Sequence, residues 1–550
     1  MHKAVLSVMA YKRIRFDQAL PMKSLLASIK ALAALPIGAV TWGLVIIFSA
    51  WIVLDLTYLK VSSGLSQTTY DTMVRNRFHA AEPDPRLVVV DIDEASLARM
   101  SKEFGRWPWP RDTLASVQDF IEREEPLAIV WDIAFTDADR LSPGGDAAFN
   151  ASAKLSQHSH HSVIRLPAAN DKQSKLTRTD LPKLWVKAAD VGKPIATLAA
   201  IVPVLPHIAA GQLGFNNGYP DSDGVLRRYR YSETLLDGSI IQSTPMSAAV
   251  SVSVAQKESL LSIPQNLDKH GVDTGTLIAW RKDAEAYPKL SFADVFAKAE
   301  GDKPKQGVPS FKGKVVVVGS TAPSLHDIHP TPLASFQPGV ESLATVLDNA
   351  LNSRFVHEVP RWLQAFIAIG LCASLALWVR RFGIASLDGA LVVLPGALLG
   401  ISYLSLNLLP VFLDLQLAAG AVLLFLAALR AWNNFRRNYW CGLPDKADAV
   451  MPIQRAHDKP FADSGLDHLI DWLEAHAPDC RVIGGDATSA WPSKLRWSEL
   501  ASRVGIAGPI DQLVRLQSCL PNDVVASSSR RIEGDITKAN VVHAFFRSYS

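Results

Sequence analysis

Four stretches of this chain are too long and too apolar for an ordinary soluble core, and they constrain everything else. Ala31 to Leu54 reads ALAALPIGAVTWGLVIIFSAWIVL, without a single charge. It is long enough to cross a hydrocarbon layer of ~30 Å. Trp362 to Val379 is a second uncharged stretch. From Phe382 to Leu429 there is no Lys or Arg, and the only acids are Asp388 and Asp414. That run exceeds one crossing, and Asn407-Leu408-Leu409-Pro410 offers a break within it. Four transmembrane helices are therefore expected, at 31–54, 362–379, 387–406 and 411–429. The alternative, buried core helices, fits the lengths poorly. A mean hydropathy of +0.12 in a chain with 20% charged residues is then an average over unlike parts.

A cleaved signal peptide is the competing reading of the first stretch. Its apolar core outruns the h-region of such a peptide and no A-x-A-like site follows, so a retained anchor is expected. Orientation follows from flanking cations. Lys3, Lys12, Arg13, Arg15, Lys23 and Lys30 lie in the basic segment 1–30, Arg380 and Arg381 between the second and third stretches, and Arg430, Arg436 and Arg437 after the fourth. All three groups fall on one side. Both termini are thus expected in the cytoplasm of a multi-pass inner-membrane protein, with 60–361 outside. Cys372, Cys441, Cys480 and Cys519 leave that outer segment free of cysteine, so it needs no disulfide. Charge is nearly balanced, 56 basic against 53 acidic, and no global field draws nucleic acid.

The outer segment is long enough for its own core. LVVVDIDEAS from Leu87, LAIVWDIAF from Leu127 and KVVVVGSTA from Lys314 are continuous apolar runs that suit strands buried on both faces of a parallel sheet. DTLASVQDFIERE, Asp112–Glu124, has helical spacing. An α/β domain is expected, with an antiparallel part around 226–235 and 239–254. Ligands of open α/β sheets bind beyond the carboxyl ends of the strands. Asp91, Asp93, Asp132, Ser320 and Thr321 fall there and are the candidate ligand-binding residues. The same residue types cap helices, and that alternative stands beside the first. His158, His160 and His161 form either a metal-binding cluster or, as we expect, a solvated polar loop. No metal site is expected and no cofactor can be named.

Seven ordered pieces carry a resemblance: YDTMVRNRF from Tyr70, RLVVVDIDEASLARM from Arg86, GRWPWPRDTLA from Gly105, WDIAFTDAD from Trp131, GFNNGYPDSDGVLRRY from Gly214, VVVVGSTAPSLHDIHPTP from Val315 and PGVESLATVLDNAL from Pro338. Together they resemble the CHASE domain of the second type, an extracytoplasmic sensory module of bacterial signalling proteins. The resemblance covers about 62–360, and its usual layout of one anchor and three clustered spans extends it to about 437. Trp107-Pro108-Trp109-Pro110-Arg111 is its most specific element. The prolines make it stiff, and its indoles are expected to cover the sheet end rather than line a pocket. Asp221-Ser222-Asp223-Gly224 reads as a turn, because no carboxylate ladder completes a calcium loop. Pro338-Gly339 opens an expected helix leading toward the second span.

The resemblance implies an output domain after the last span, but 438–550 shows no kinase or cyclase signature. Helices are expected at 465–476, 497–505 and 510–516, making a small, mainly α tail. Its last two helices have the outline of a helix-turn-helix, which Gly508-Pro509 interrupts, and nucleic-acid binding is not expected. Two classes remain. One is a non-enzymatic membrane sensor for an extracytoplasmic ligand or protein, contacting a cytosolic effector through its tail. The other is a signalling enzyme whose output is unfamiliar or supplied by a partner chain. The layout implies a homodimer.

Overall fold

The computed structural model describes residues 35–142, 144–188, 190, 192, 196–257, 275–387, 389–441, 447–455, 463–484, 504–521 and 524–532. The segment 1–30 and, in the tail, 442–446, 456–462, 485–503, 522–523 and 533–550 thus lie outside the described residues. Helix α1 (Ile37–Leu54) continues as a π-helical stretch, Asp55–Leu59, and α2 (Val61–Arg75) follows.

The next elements build a parallel sheet. They run β1 (Leu87–Asp91), α3 (Glu94–Phe104), α4 (Arg111–Arg123), β2 (Ala128–Trp131), α5 (Gly145–Leu155), β3 (Ser159–Arg165), β4 (Gln212–Phe215), α6 (Thr244–Gln256), β5 (Lys289–Ser291), α7 (Phe292–Ala299), β6 (Val315–Gly319) and α8 (Gly339–Leu351). The strand order is β5-β1-β6-β2-β3, with β4 parallel to β3 and the short strand Ala200–Ile201 antiparallel to it. Val89 faces Val317, which faces Val130. Alternation along each strand then feeds two cores. Val89, Val130 and Val317 pack with Met246 of α6 and Leu343 and Leu347 of α8. Val90, Ile129, Trp131 and Val318 pack with Leu114, Val117 and Ile121 of α4, Phe149 of α5 and Phe292 of α7.

Short antiparallel strands occur at Arg228–Tyr229, Ser232–Thr234 and Ile240–Gln242. The expected strand reaching 254 is instead the helix α6. Ser243 caps it, accepting from Met246 N at 3.4 Å, and Pro245 sits in its first turn, where a missing N–H costs nothing.

Beyond Pro360 come α9 (Arg361–Phe382), α10 (Ala390–Leu408) and α11 (Gln416–Trp440). The stretches Ile37–Leu59, Arg361–Phe382, Ala390–Leu408 and Gln416–Arg437 are long and apolar enough to cross a membrane by length and composition. Two compact units result. One comprises 63–360 with 400–414, and the other the remaining helices with the tail. Within the first unit, the end of α10 and the turn after it join the α/β body. Asn407 Oδ1 accepts from Phe78 N at 2.9 Å, and Val411–Phe412 pairs with His357–Glu358. Within the second, Ala368, Ala376, Ala418 and Ala421 let helices approach closely around Cys372 and Phe425.

The tail corrects the expectation of a mainly α domain. Strands β7 (Ala449–Arg455), β8 (Arg481–Gly484), β9 (Val504–Gly508) and β10 (Val524–Ala526) form an antiparallel sheet in the order β8-β9-β7-β10, with Arg530–Arg531 also on β7. Helices α12 (Asp463–His476) and α13 (Ile510–Gln517) accompany it. Pro452 in β7 and two glycines in β9 hide these strands from a propensity reading. Pairing makes them, with Met451 opposite Ile506 over a shared core. The helix expected over 497–505 lies mostly outside the described residues, but its end, Val504-Gly505, is strand. A strand therefore precedes α13, which removes the helix-turn-helix outline.

Candidate functional site

The five strand-end residues meet different fates. Asp91 closes β1 and accepts from Thr321 N at 2.8 Å and Thr321 Oγ1 at 2.6 Å, tying the loop after β6 to β1. Burial raises the Asp91 carboxyl against the pull of those bonds. Ser320 Oγ donates to Ile92 O at 2.8 Å and accepts from Ala322 N at 3.0 Å. Asp93 is the N-cap of α3, accepting from Ser96 N at 2.6 Å. Four of the five side chains are thus engaged in joining and capping elements.

Asp132 stands apart, at the first position beyond β2. It borders a cavity of about 130 Å³ with Asn216, Tyr229, Asp327, His329 and Ser342. Asn216 follows β4 directly, and its Nδ2 donates to Asp132 Oδ1 at 2.6 Å, while Tyr229 donates to Asn216 Oδ1 at 3.3 Å. Asp327 O accepts from Gly339 N at 2.9 Å. A Cβ at Gly339 would lie 2.3 Å from Asp327 Oδ2, so only glycine lets that carboxylate rest on the first turn of α8. Ser342, in the same turn, is 3% exposed and its hydroxyl has no hydrogen-bond partner among the described residues. Burial, and then the like charge of Asp327, raises Asp132 well above the usual carboxylate range. Asp327 is raised by burial of its carboxylate too, partly offset by His329.

The cavity therefore combines a carboxyl that resists ionisation, a second acid and an orphan hydroxyl. It is a hydrogen-bonding niche for a few heavy atoms. Among the described residues no three His, Cys, Asp or Glu side chains are grouped as a metal would require.

The histidine cluster is not a polar loop. His158 sits 2.9 Å from Glu122 Oε1, and His160 and His161 are successive residues of β3, so they point to opposite faces. His160 Nδ1 lies 3.0 Å from Ser247 Oγ, and His161 packs among Trp131, Phe135 and Phe149. Burial pushes each down to about 3, so both are neutral.

The motif residues complete the map. The run 107–111 links α3 to α4, with Pro110 as N-cap and Arg111 as the first helical residue. Trp109 is buried, in edge contact with Trp107 at 5.0 Å and tilted on Phe292 at 5.3 Å. Trp107, Pro108, Trp109 and Arg111 line a cleft of about 550 Å³, so the run borders a pocket as well as covering the sheet. Asp221 and Asp223 bind Arg227 at 3.1 and 2.7 Å, and Gly224 turns the chain at φ +84°. Pro338 is the N-cap of α8, which ends at Leu351. The strand Phe355–Glu358, not helix, leads from there to α9. Asn216, Asp327, His329 and Ser342 escaped the sequence reading, although each lies inside a quoted motif. Nothing in those runs says which side chains converge.

A buried parallel sheet with a polar cavity at its carboxyl end makes this an α/β domain in a chain with four long apolar helices. Residues 45–379 match the CHASE2 domain, well over half of the chain, and the chain belongs to that family of sensory domains. The match takes in part of α1 and most of α9 as well as the sheet. No curated protein and no solved structure is matched.

Proposed function

We propose that the protein is a multi-pass sensor of the bacterial inner membrane. Its CHASE2 domain lies outside, both termini are cytoplasmic, and the tail hands the signal to a cytosolic effector without catalysis of its own. The observation that carries this is a sensory-domain match in a chain whose apolar helices leave Ile46, Ile47, Phe366, Val392 and Val393 exposed. Such surfaces suit lipid. The cation-free turn between α10 and α11 belongs to the same unit as the α/β body, which favours an outer position for both. The signal is read at the Asp132 cavity, from which Ser342 and Gly339 reach α8.

The native cysteines supply the test. Cys519 is exposed, and Cys372, Cys441 and Cys480 are buried. A membrane-impermeant maleimide should leave Cys519 unlabelled in intact spheroplasts and label it after permeabilisation. A Lys312→Cys variant, at a side chain 75% exposed, should be labelled from outside. Labelling of Cys519 from outside would overturn the orientation. Robust ATP hydrolysis or nucleotide cyclisation by the purified full-length protein would overturn the non-enzymatic tail.

A further inference from the structure

The cleft beside the Trp107–Arg111 run is separate from the Asp132 cavity, and nothing above assigns it a ligand. Its volume, about 550 Å³, lies in the range of small-molecule sites. Trp107, Leu114, Ile133 and Phe135 give it apolar and aromatic walls.

Its polar groups are unevenly committed. Asp139 Oδ2 accepts from Arg111 N at 2.8 Å, and its Oδ1 accepts from Leu141 N at 2.8 Å and Ser142 N at 3.1 Å. Asp146 takes an Arg111 guanidinium N–H and Asp139 N. These bonds fix the rim and use up those two acids. The donors are in surplus. Trp109 is 2% exposed and its buried indole N–H has no acceptor among the described residues. Arg106 and Arg140, both exposed on the lining, make no ion pair or hydrogen bond among the described residues. Formal charges around the cleft nearly balance, so any preference arises from unused hydrogen-bonding capacity. That capacity is donor-rich; Asp137 at the rim gives its backbone oxygen to an Arg111 guanidinium N–H, and its carboxylate accepts from Thr136 Oγ1 at 3.4 Å.

We propose that the cleft binds a small organic anion with a flat apolar body, an aromatic carboxylate being the simplest member of the class. The ring lies against Trp107 and Phe135, and the anionic group supplies the acceptors that Arg106, Arg140 and the Trp109 indole lack.

Calorimetric titration of the full-length protein in nanodiscs tests this, with benzoate and indole-3-acetate as probes. Benzyl alcohol, benzylammonium and inorganic sulfate serve as comparisons. Benzoate should bind saturably, with each comparison about tenfold weaker or more, as loss of one charge-assisted hydrogen bond or of the ring contacts implies. The surface double variant Arg106→Ala/Arg140→Ala should weaken benzoate about tenfold with unchanged melting. Trp109→Phe, which keeps the ring and removes the N–H, should weaken it several-fold. Asp132→Asn should leave it unaltered. No saturable binding of either probe at millimolar concentration would overturn the proposal. So would sulfate or benzylammonium binding as well as benzoate, indifference to the arginine pair, or loss on Asp132→Asn, which would move the site to the other cavity. None of these outcomes bears on membrane orientation, so failure here is distinguishable from failure of the sensor topology.

Discussion

His161 is a titratable group in an aromatic cage, with both ring nitrogens buried and without a hydrogen-bond partner among the described residues. His160, on the opposite face of β3, is buried too, with its Nδ1 3.0 Å from Ser247 Oγ. Because burial depresses both to about 3, the unfolded chain takes up their protons first. Their contribution is complete above the ordinary histidine range and is lost as pH falls from about 6.5 toward 3. Asp132 has the opposite sign. Its folded-state pKa is raised, so its contribution is full below the ordinary aspartate range, and it destabilises the fold as pH rises. Melting followed from pH 4 to 8 should separate the two. Asp132→Asn should stabilise at pH 8, by of order 1–3 kcal/mol, and change little at pH 4. His161→Phe should flatten the acid limb alone. An Asp132→Asn variant no more stable at pH 8 than the parent would mean that this carboxyl ionises freely.

At the scale of elements, the acid-rich loop ends divide between capping and lining a cavity. Asp93 satisfies an orphan N–H of α3, so Asp93→Ala should cost about 1 kcal/mol, read from denaturant midpoints, and leave ligand binding unchanged. Altered binding with unchanged stability would assign it to the site instead. Helix α2 is tied down by a different device. Arg227, 2% exposed, holds Asp71 through two bonds of 2.7 Å while also gripping the 221–224 turn. Residue types announced these roles only in outline. Asp-x-Asp-Gly declared a turn, but Arg227 became its anchor through Asp71, 156 positions earlier in the chain.

Across the whole molecule, the route from the apolar stretch of α11 to the tail is continuous in covalent and ionic terms. Helix α11 runs from its apolar stretch to Trp440, and its end holds α12. Arg436, buried, bonds Asp471 at 2.5 Å and Glu474 at 2.7 Å, and Arg437 bonds Asp467 at 2.8 Å. A rotation or shift of α11 would therefore be imposed on α12. Arg436→Gln should raise amide exchange in α12 in full-length protein while exchange in β1, β2 and β6 stays unchanged. Unaltered exchange in α12 would show that packing around Trp440 suffices to hold it. Continuity gives the route, and coupling measured across it gives the mechanism.

Residue order alone carries the apolar stretches, the parallel-sheet core and the family. These depend on composition over long windows and on local period, which survive without knowledge of neighbours. The helix over 112–124 and the turn at Gly224 were legible for the same reason. Tertiary structure decided the rest. Strands β7 and β9 exist because they pair, although proline and glycine argue against each alone. His160 and His161 look polar in sequence and are buried because β3 lies between two helical layers. Asp91, Asp93 and Asp132 look alike in sequence. Only the packing of Thr321, Ser96 and the start of α8 makes the first a tie, the second a cap and the third a carboxyl facing a cavity. A side chain's partners lie tens to hundreds of residues away, and local pattern carries no record of them.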